Sequence, residues 1–362
     1  MILKTTRRFL VPALASVGAL AVVWLAPVSG QAPPSTGSTT KAPAPTSAAK
    51  PSPATKAWTL PKTPWGDPDL QGLWPATDMI NVPLQRNASF GTRAVLTDEE
   101  YQQQVTRAQQ TAERDSEEFV KEGTQPGINP PAYWLEHGKP SHQASLVVDP
   151  PDGRTPPLTT DAQKLAAERT AARRGHNNDT WEDQSFYDRC ISRGVMGSIL
   201  PVIYNNGNEI LQAPGLVIIR YEMIHETRII PLDGRPHVDA GVRSYMGDPR
   251  GHWDGNTLVV ETTNLIGNTN GIGLNGGGTP HSDALRLTER FTRVSDKVID
   301  YSATIDDPKT WTKPWTVAFP LRRDDGFTVY EYACHEGNYG LLDILSGARA
   351  DEAAAAAKAA AK

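Results

Sequence analysis

Cysteine is scarce in this sequence, with 2 cysteines in 362 residues. They form no C-x-x-C pair, which argues against a structural zinc site and a thioredoxin-like motif. A basic character is missing as well, because the formal net charge is −5. A general nucleic-acid-binding protein needs a basic face, so we expect no nucleic-acid partner. We find no internal repeats, and repeats would be expected of a structural envelope protein.

The remaining composition is that of an ordinary globular protein. Hydrophobic residues make up 38% of the chain without counting its 30 glycines, which argues against disorder of the whole chain. Glycine and proline, at 30 residues each, indicate many turns. This favours a β-rich fold over a helix bundle.

Residues 1–32 have the layout of a secretory signal peptide. Lys4, Arg7 and Arg8 form a positively charged start, and an apolar run over 9–26 precedes small residues. An N-terminal membrane anchor is the alternative, because the apolar run is close to the length that spans a bilayer. We expect a periplasmic or secreted protein, with no membrane insertion of the mature chain.

Composition divides the rest of the chain into three parts. Residues 33–57 are rich in Pro, Ala, Ser and Thr, which predicts a disordered linker. Residues 58–350 are predicted to form a single β-rich domain with an irregular, partly helical N-terminal portion. Residues 351–362 form an Ala-rich tail, which is expected to be helical.

Helix signals lie in the N-terminal half of this domain. A capping box from Thr97 to Glu100 predicts a helix that continues to about residue 121. A second helix is expected over 160–174, and a third over 183–193 with Gly194 as its stop. From residue 208 onward the pattern has period two and predicts strands near 209–213, 216–231, 240–246, 257–263, 284–293, 297–306, 314–321 and 327–334.

Short turn signals separate most of these strands, for example Asp233-Gly234 and Asp254-Gly255. Successive strands with short turns predict an antiparallel meander. About eight strands can close into a lipocalin-like β-barrel that holds one small ligand. An open sandwich is the competing architecture. In an oxidising compartment Cys190 and Cys334 are most simply a disulfide, with two buried thiols as the alternative.

Strand alternation selects the candidate catalytic residues. In the predicted strand 216–231, His225 shares an apolar face with Tyr221, while Arg228 falls on the opposite face, which is expected to be solvated or to lie under a covering segment. Glu289 and Glu331 also fall on apolar faces of their predicted strands. A buried carboxylate is paired, protonated or functional, so an acid/base pair of His225 with either glutamate is one interpretation. A structural histidine and arginine-paired glutamates are the other.

A second polar cluster comes from the turns, which a barrel would place at its mouth. Candidate substrate contacts there are His237, Arg243, His252 and His335, together with Tyr221 from the strand face. The spacing of these histidines fits no specific metal site, so we predict no metal ligands. A G-x-G-x-x-G match at 271–276 lies in a Gly/Asn-rich loop rather than between a strand and a helix, so it does not predict nucleotide binding.

Three longer segments carry a family resemblance. They are PWGDPDLQGLW at 64–74, MGDPRGHWDGNTLVVETTN at 246–264 and DDPKTWTKPW at 306–315. They resemble an uncharacterised family of exported bacterial proteins with no assigned activity. The resemblance implies export and one shared domain, and it supplies no catalytic residues.

Taken together, the sequence predicts an exported enzyme that binds a small, largely apolar molecule inside a β-barrel. The chemistry would be cofactor-free acid/base catalysis of the isomerase, lyase or hydratase type, with His225, Glu289 and Glu331 as the catalytic groups. The alternative is a periplasmic carrier for a hydrophobic ligand that performs no catalysis. Neither the reaction nor the oligomeric state follows from the sequence.

Overall fold

The computed structural model describes residues 58–116, 135–176, 178–269 and 271–361. The predicted signal peptide and linker lie outside this part of the chain. The strands are, in order, β1 Gly72–Leu73, β2 Val147–Asp149, β3 Asn208–Ala213, β4 Leu216–Tyr221, β5 Thr227–Pro231, β6 Asp248–Asp254, β7 Thr257–Thr263, β8 Gly271–Ile272, β9 Thr279–Pro280, β10 Arg286–Ser295, β11 Val298–Asp306 and β12 Trp315–Arg322.

These strands form antiparallel sheets, as the sequence predicted. The larger sheet has the order β2-β12-β11-β10-β7-β6, and the smaller has the order β1-β3-β4-β5. A third pair, β8 and β9, stands apart from both. Within the described residues no sheet closes into a barrel, so the predicted barrel is not confirmed.

The two sheets nevertheless share one core, because their edges approach each other. The backbone N–H of Asp324, just after β12, donates to the carbonyl of Leu73 in β1 at 3.1 Å. At the other side, Gly251 of β6 lies against the end of β5 and the residue after it. A Cβ on Gly251 would lie 2.8 Å from the Ile230 side chain and 2.6 Å from that of Leu232, so only glycine fits there.

The predicted strand 216–231 is two strands in the structure, joined by a turn over Met223–His225. Ile224 and His225 both have positive φ, at 55° and 47°, a conformation that is rare for residues with a side chain. The turn reverses the chain and changes the phase of the side chains. Arg228, predicted on the face opposite the core, therefore points into the core, and His225, predicted on the core face, points out.

Most of the other predicted strands are present in the structure, and two are not. The strands near 209–213, 257–263, 284–293, 297–306 and 314–321 are confirmed within a residue or two. Residues 240–246 and 327–334 form no strand, which corrects the prediction. The sequence analysis also missed β6, because it placed His252 among the turn residues.

Four α-helices are described: α1 Asp98–Ser116, α2 Thr160–Arg173, α3 Gly194–Ile199 and α4 Tyr339–Ala360. The capping box at α1 is present, since Thr97 Oγ accepts from Glu100 N at 3.2 Å and Glu100 Oε2 accepts from Thr97 N at 2.8 Å. The predicted end of α1 at 121 lies outside the described residues. The helix α2 is confirmed, and the helical tail is confirmed with an earlier start.

The predicted third helix over 183–193 is wrong, because α3 begins at Gly194, the residue expected to end it. Cys190 and Gly194 have φ values of 56° and 69°. Left-handed residues at these positions interrupt a right-handed helix. The core itself is built from both sheets and from α3, with Trp74, Trp315, Tyr221, Tyr301 and Phe291 among its fully buried large side chains.

Candidate functional site

An ion pair between Arg228 and Glu289 lies at the centre of the shared core. Arg228 comes from β5 in the smaller sheet and Glu289 from β10 in the larger one. Both side chains have 0% exposure. The contact is bidentate, with Arg228 Nη1 donating to Glu289 Oε1 at 3.1 Å and Nη2 donating to Oε2 at 2.6 Å.

Three hydroxyl groups form hydrogen bonds with this ion pair. Arg228 also donates to Tyr221 Oη at 3.0 Å and to Thr262 Oγ1 at 2.9 Å, while Tyr301 Oη donates to Glu289 Oε1 at 3.1 Å. Burial raises the pKa of Tyr221 to about 12 despite the nearby Arg228 charge. Burial also acts against the charge on Arg228, but Glu289 outweighs it and the pKa of Arg228 is raised. Near neutral pH Tyr221 is therefore a neutral phenol and Arg228 a cation.

The structure does not bring His225 and Glu289 together. His225 is exposed on its turn, and its Nδ1 lies 2.9 Å from the carbonyl oxygen of Tyr332. Glu289 is saturated by Arg228 and Tyr301 inside the core, where the arginine-paired alternative placed it. Tyr221 belongs to the same buried network and is fully buried. The chain reversal at Met223–His225 is the physical reason, because it turns the face that carried His225 toward solvent.

The other candidates from the C-terminal segment and β6 are also on the surface. Glu331 and His335 are exposed, and Glu331 lies in a segment without strand structure. His252 is exposed on β6 opposite Val259. These three side chains line no described cleft with His225.

A surface cleft of about 180 Å³ lies at the end of β7 and the start of β10. Two guanidinium groups, Arg243 and Arg286, line it beside the carboxylate of Asp283 and the apolar side chain of Leu285. The full lining is Ala240, Arg243, Thr263, Asn264, Asp283, Ala284, Leu285 and Arg286. This cleft contains Arg243 and adjoins His237, both of which the sequence had placed at a ligand-binding mouth.

Asn264 fixes one wall of the cleft. It takes a left-handed backbone conformation, with φ 59°, which asparagine tolerates better than most residues. Its Nδ2 donates to the carbonyls of Asp239 and Val242, each at 2.9 Å, and its Oδ1 accepts from Thr263 Oγ1 at 2.8 Å. One side chain therefore ties the loop that carries Arg243 to the end of β7.

Some of the charged side chains at the cleft form ion pairs, and one does not. Arg243 Nη1 lies 2.6 Å from Asp283 Oδ2, and Lys309 Nζ donates to Asp283 Oδ1 at 2.7 Å. These hydrogen bonds, from Lys309 and then Arg243, lower the pKa of Asp283 to about 2. Arg286 is exposed and has no hydrogen bond or ion pair among the described residues. The cleft thus offers the unpaired guanidinium of Arg286 beside Leu285 and two alanines.

A histidine–aspartate pair lies next to this cleft. His237 Nδ1 is 2.9 Å from Asp248 Oδ2, which also accepts from Val238 N at 3.0 Å. Asp248 pairs across the β-ladder with Thr263, a lining residue. Burial acts to raise the pKa of Asp248, but the hydrogen bonds from Val238 and His237 and the charge of Arg250 outweigh it, and the pKa is lowered. Asp248 remains a carboxylate that orients His237.

Sequence reasoning missed several of these residues. Arg228 was assigned to the wrong face, and no turn signal marks the reversal that buries it. Asn264, Asp283 and Arg286 were not selected, since only the β7–β10 pairing brings 264 near 286. The tendency of asparagine toward positive φ was the one signal in the sequence, and it was available for Asn264.

Two negative findings apply to the described part of the chain. It contains no group of three or more His, Cys, Asp or Glu side chains arranged to hold a metal ion. None of its helices is long and apolar enough to span a membrane.

Comparison of the chain with family models, with curated proteins and with solved structures finds no match in any of the three.

Proposed function

We propose that this protein is an exported binding protein that holds a small organic anion in the Arg243–Arg286 cleft. The observation that carries the proposal is the uncommitted guanidinium of Arg286 in a preformed cleft. Export is supported by the predicted signal peptide, by the resemblance to an exported family, and by the Cys190–Cys334 disulfide, which is typical of oxidising compartments.

The chemistry of the lining indicates the ligand class. Arginine presents a planar fork of donors that suits carboxylates and phosphates. The lining also includes the apolar residues Ala240, Ala284 and Leu285, so a small apolar group of the ligand can be accommodated beside the guanidinium. A cavity of ~150 Å³ accommodates benzene, and the cleft is of that order. An aromatic carboxylate such as benzoate therefore has the charge and size that fit.

This proposal moves the ligand from the sheet interior, where the sequence placed it, to the surface. The reason is the buried network of Arg228, Glu289 and Tyr221, which occupies the place where an apolar ligand would lie. Such a ligand would have to displace an ion pair at considerable cost.

Titration calorimetry with sodium benzoate tests the site. We expect Arg286→Ala to raise the dissociation constant by roughly tenfold or more, since a hydrogen bond to a charged group contributes about 1.5–3 kcal/mol. The matched control is Arg290→Ala, on the same face of β10 but paired with Asp254 at 2.8 Å outside the cleft. Equal affinity of all three proteins, or no benzoate binding to the wild type, contradicts the proposal.

The affinity for benzoate should be nearly independent of pH between about 5 and 8. Arginine stays charged throughout this range, and a benzoate carboxylate, with a pKa of about 4, stays ionised. The pKa of Asp283, lowered to about 2, keeps the Arg243 contact intact. Calorimetry at three pH values measures this. An affinity that falls as pH rises through the histidine range would show that His237 takes part in binding.

A second candidate function is acid/base catalysis in the same cleft, and the His237–Asp248 pair favours it. A histidine oriented by a carboxylate is the usual arrangement of a general base. It would perform the isomerase, lyase or hydratase chemistry that the sequence had assigned to His225. Native mass spectrometry of protein from its own host would identify a co-purifying compound. Turnover of that compound by the wild type but not by His237→Gln would support catalysis, and its release unchanged would support the binding protein.

A further inference from the structure

Arg193 carries a buried charge whose donors are unused. The residue is 4% exposed, and none of its side-chain N–H groups has an acceptor among the described residues. Its Nε is fully buried and unpartnered. The guanidinium lies over the ring of Tyr187 at 4.5 Å. Arginine has five N–H donors, and a cation–π contact satisfies none of them.

Three tyrosine hydroxyls gather beside this arginine. Tyr187 Oη contacts the hydroxyls of both Tyr204 and Tyr332, the latter at 2.9 Å. The rings pack against a small apolar cluster of Val202, Met223 and Ile224. Tyr332 also interacts with the hydroxyl of Tyr204, so the three hydroxyls form one mutually bonded group. Each hydroxyl can rotate its single O–H, so the group can also donate to an ion that lies beside the guanidinium.

The carboxylates near Arg193 accept no hydrogen bond from its guanidinium. Glu226 accepts from Ser192 Oγ at 2.6 Å, from the backbone N–H of Arg193 at 3.1 Å and from Ser198 Oγ at 3.2 Å. Asp188 accepts from Ser185 Oγ at 2.6 Å. Neither forms an ion pair with the Arg193 guanidinium. The cluster thus combines one buried cation, whose Nε–H is unpartnered, with three hydroxyls and no carboxylate partner.

The electrostatics agree with a buried and unpaired cation at Arg193. Burial lowers the pKa of Arg193, and the three phenol groups act against that shift. Burial raises the pKa of Tyr332 to about 12, so its phenol stays neutral. Burial raises the pKa of Tyr187 as well, so neither of these two phenols supplies a negative charge near neutral pH. They are only half-buried, which leaves the cluster within reach of a solute ion.

We propose that Arg193, with the hydroxyls of Tyr187, Tyr204 and Tyr332, forms a binding site for a small monovalent anion. The shared chemistry is a single negative charge that accepts N–H and O–H hydrogen bonds, as a halide or a carboxylate group does. A buried arginine without a partner is costly, and a bound anion removes that cost. The site is separate from the Arg243–Arg286 cleft and does not depend on the function proposed for it.

Thermal unfolding in bromide and in acetate tests the site. The full-length protein is titrated with each sodium salt at matched concentrations, so that the two titrations have the same ionic strength. We expect the wild-type melting temperature to rise and saturate with at least one of the two anions. Arg193→Met should abolish that response. The matched control is Arg189→Met, which removes a neighbouring, partly exposed arginine stacked on Trp181 and Phe186 and should keep it.

The two salts distinguish between the possible ligands. A response to bromide alone assigns the site to halides, and a response to acetate assigns it to a carboxylate ligand. Tyr332→Phe removes one donor and keeps the arginine, so it should raise the half-saturating concentration by roughly tenfold. Crystals soaked in bromide should show an anomalous peak beside Arg193 if the halide arm responds.

Two results would overturn the proposal. One is an identical salt response of the wild type and Arg193→Met. The other is an Arg193→Met protein that is more stable than the wild type in every anion, because removing an unpaired buried charge should stabilise the fold.

Discussion

Glu289→Gln should lower the free energy of unfolding by about 3–5 kcal/mol, because removing one partner of a buried ion pair leaves the other charge uncompensated. The remaining guanidinium of Arg228 has 0% exposure and no route to water. Glutamine keeps the size of the side chain, so the loss reports charge rather than a cavity. Urea denaturation followed by tryptophan fluorescence measures it.

The matched control uses an ion pair formed by a neighbouring residue of the same strand. Arg290, the residue after Glu289, forms an exposed ion pair with Asp254 on the opposite face of β10. Exposed pairs contribute little because solvent screens them. Asp254→Asn should therefore leave the midpoint of unfolding nearly unchanged. A similar small effect from Glu289→Gln would mean that the Arg228 charge finds another partner.

A double variant separates the pair from its surroundings. Arg228→Met with Glu289→Leu removes both charges and leaves an apolar core, which often costs little or nothing. Here the hydroxyls of Tyr221, Thr262 and Tyr301 lose their partners, so some cost remains. We expect the loss to be smaller than the sum of the two single changes. Additive losses would show that the two side chains do not interact energetically.

This network also shows why the fold could be predicted better than the site. The period-two pattern identified most of the ladder strands, since alternation reports local burial directly. The face of a strand, however, depends on every residue before it. Ile224 and His225 reverse the chain without Gly, Pro or Asn, so no local sequence signal predicts that Arg228 points inward. One unforeseen turn was enough to exchange a buried arginine for an exposed histidine.

The segment 327–334 failed for a different reason. Its alternation is real, but no strand edge pairs with it. Instead, Tyr330 N donates to Glu222 Oε1 at 3.1 Å, and Tyr332 offers its carbonyl to His225 at 2.9 Å. Side chains from the β4–β5 turn thus replace a ladder. A sequence pattern reports which face is apolar, but it does not report whether a partner strand exists.

Of the residues that line or adjoin the cleft, only some were selected from the sequence. His237 and Arg243 were selected because they cluster in turn-rich sequence, and turns gather at the ends of strands. Arg286 could not be selected in that way, because it begins a strand in a different part of the chain. Its approach to Arg243 depends on the pairing of β7 with β10, which places Leu287 opposite Thr262. Such a juxtaposition needs the tertiary structure.

Removal of the disulfide should have the other large effect. Cys190 and Cys334 are bonded with a sequence separation of 144, as the sequence predicted. A loop of this length corresponds to about 5 kcal/mol of stabilisation when only the chain entropy of the unfolded state is counted. We therefore expect Cys190→Ser/Cys334→Ser to lose several kcal/mol, measured by urea denaturation against the oxidised wild type.

The bond also holds the C-terminal segment in place, and this makes a second outcome measurable. Asn338 Nδ2 donates to the Asp188 carbonyl at 2.9 Å, and Arg349 donates to the carbonyl of Asp179 at 2.9 Å. The side chains of α4 are not buried in any core. Few contacts besides these attach α4, so hydrogen exchange in 330–360 should accelerate in the double serine variant more than in β10 and β11. The reduced wild type is the control, because it should match the variant in both measurements. Exchange that accelerates equally in all strands would mean that the bond stabilises the whole fold and anchors no particular segment.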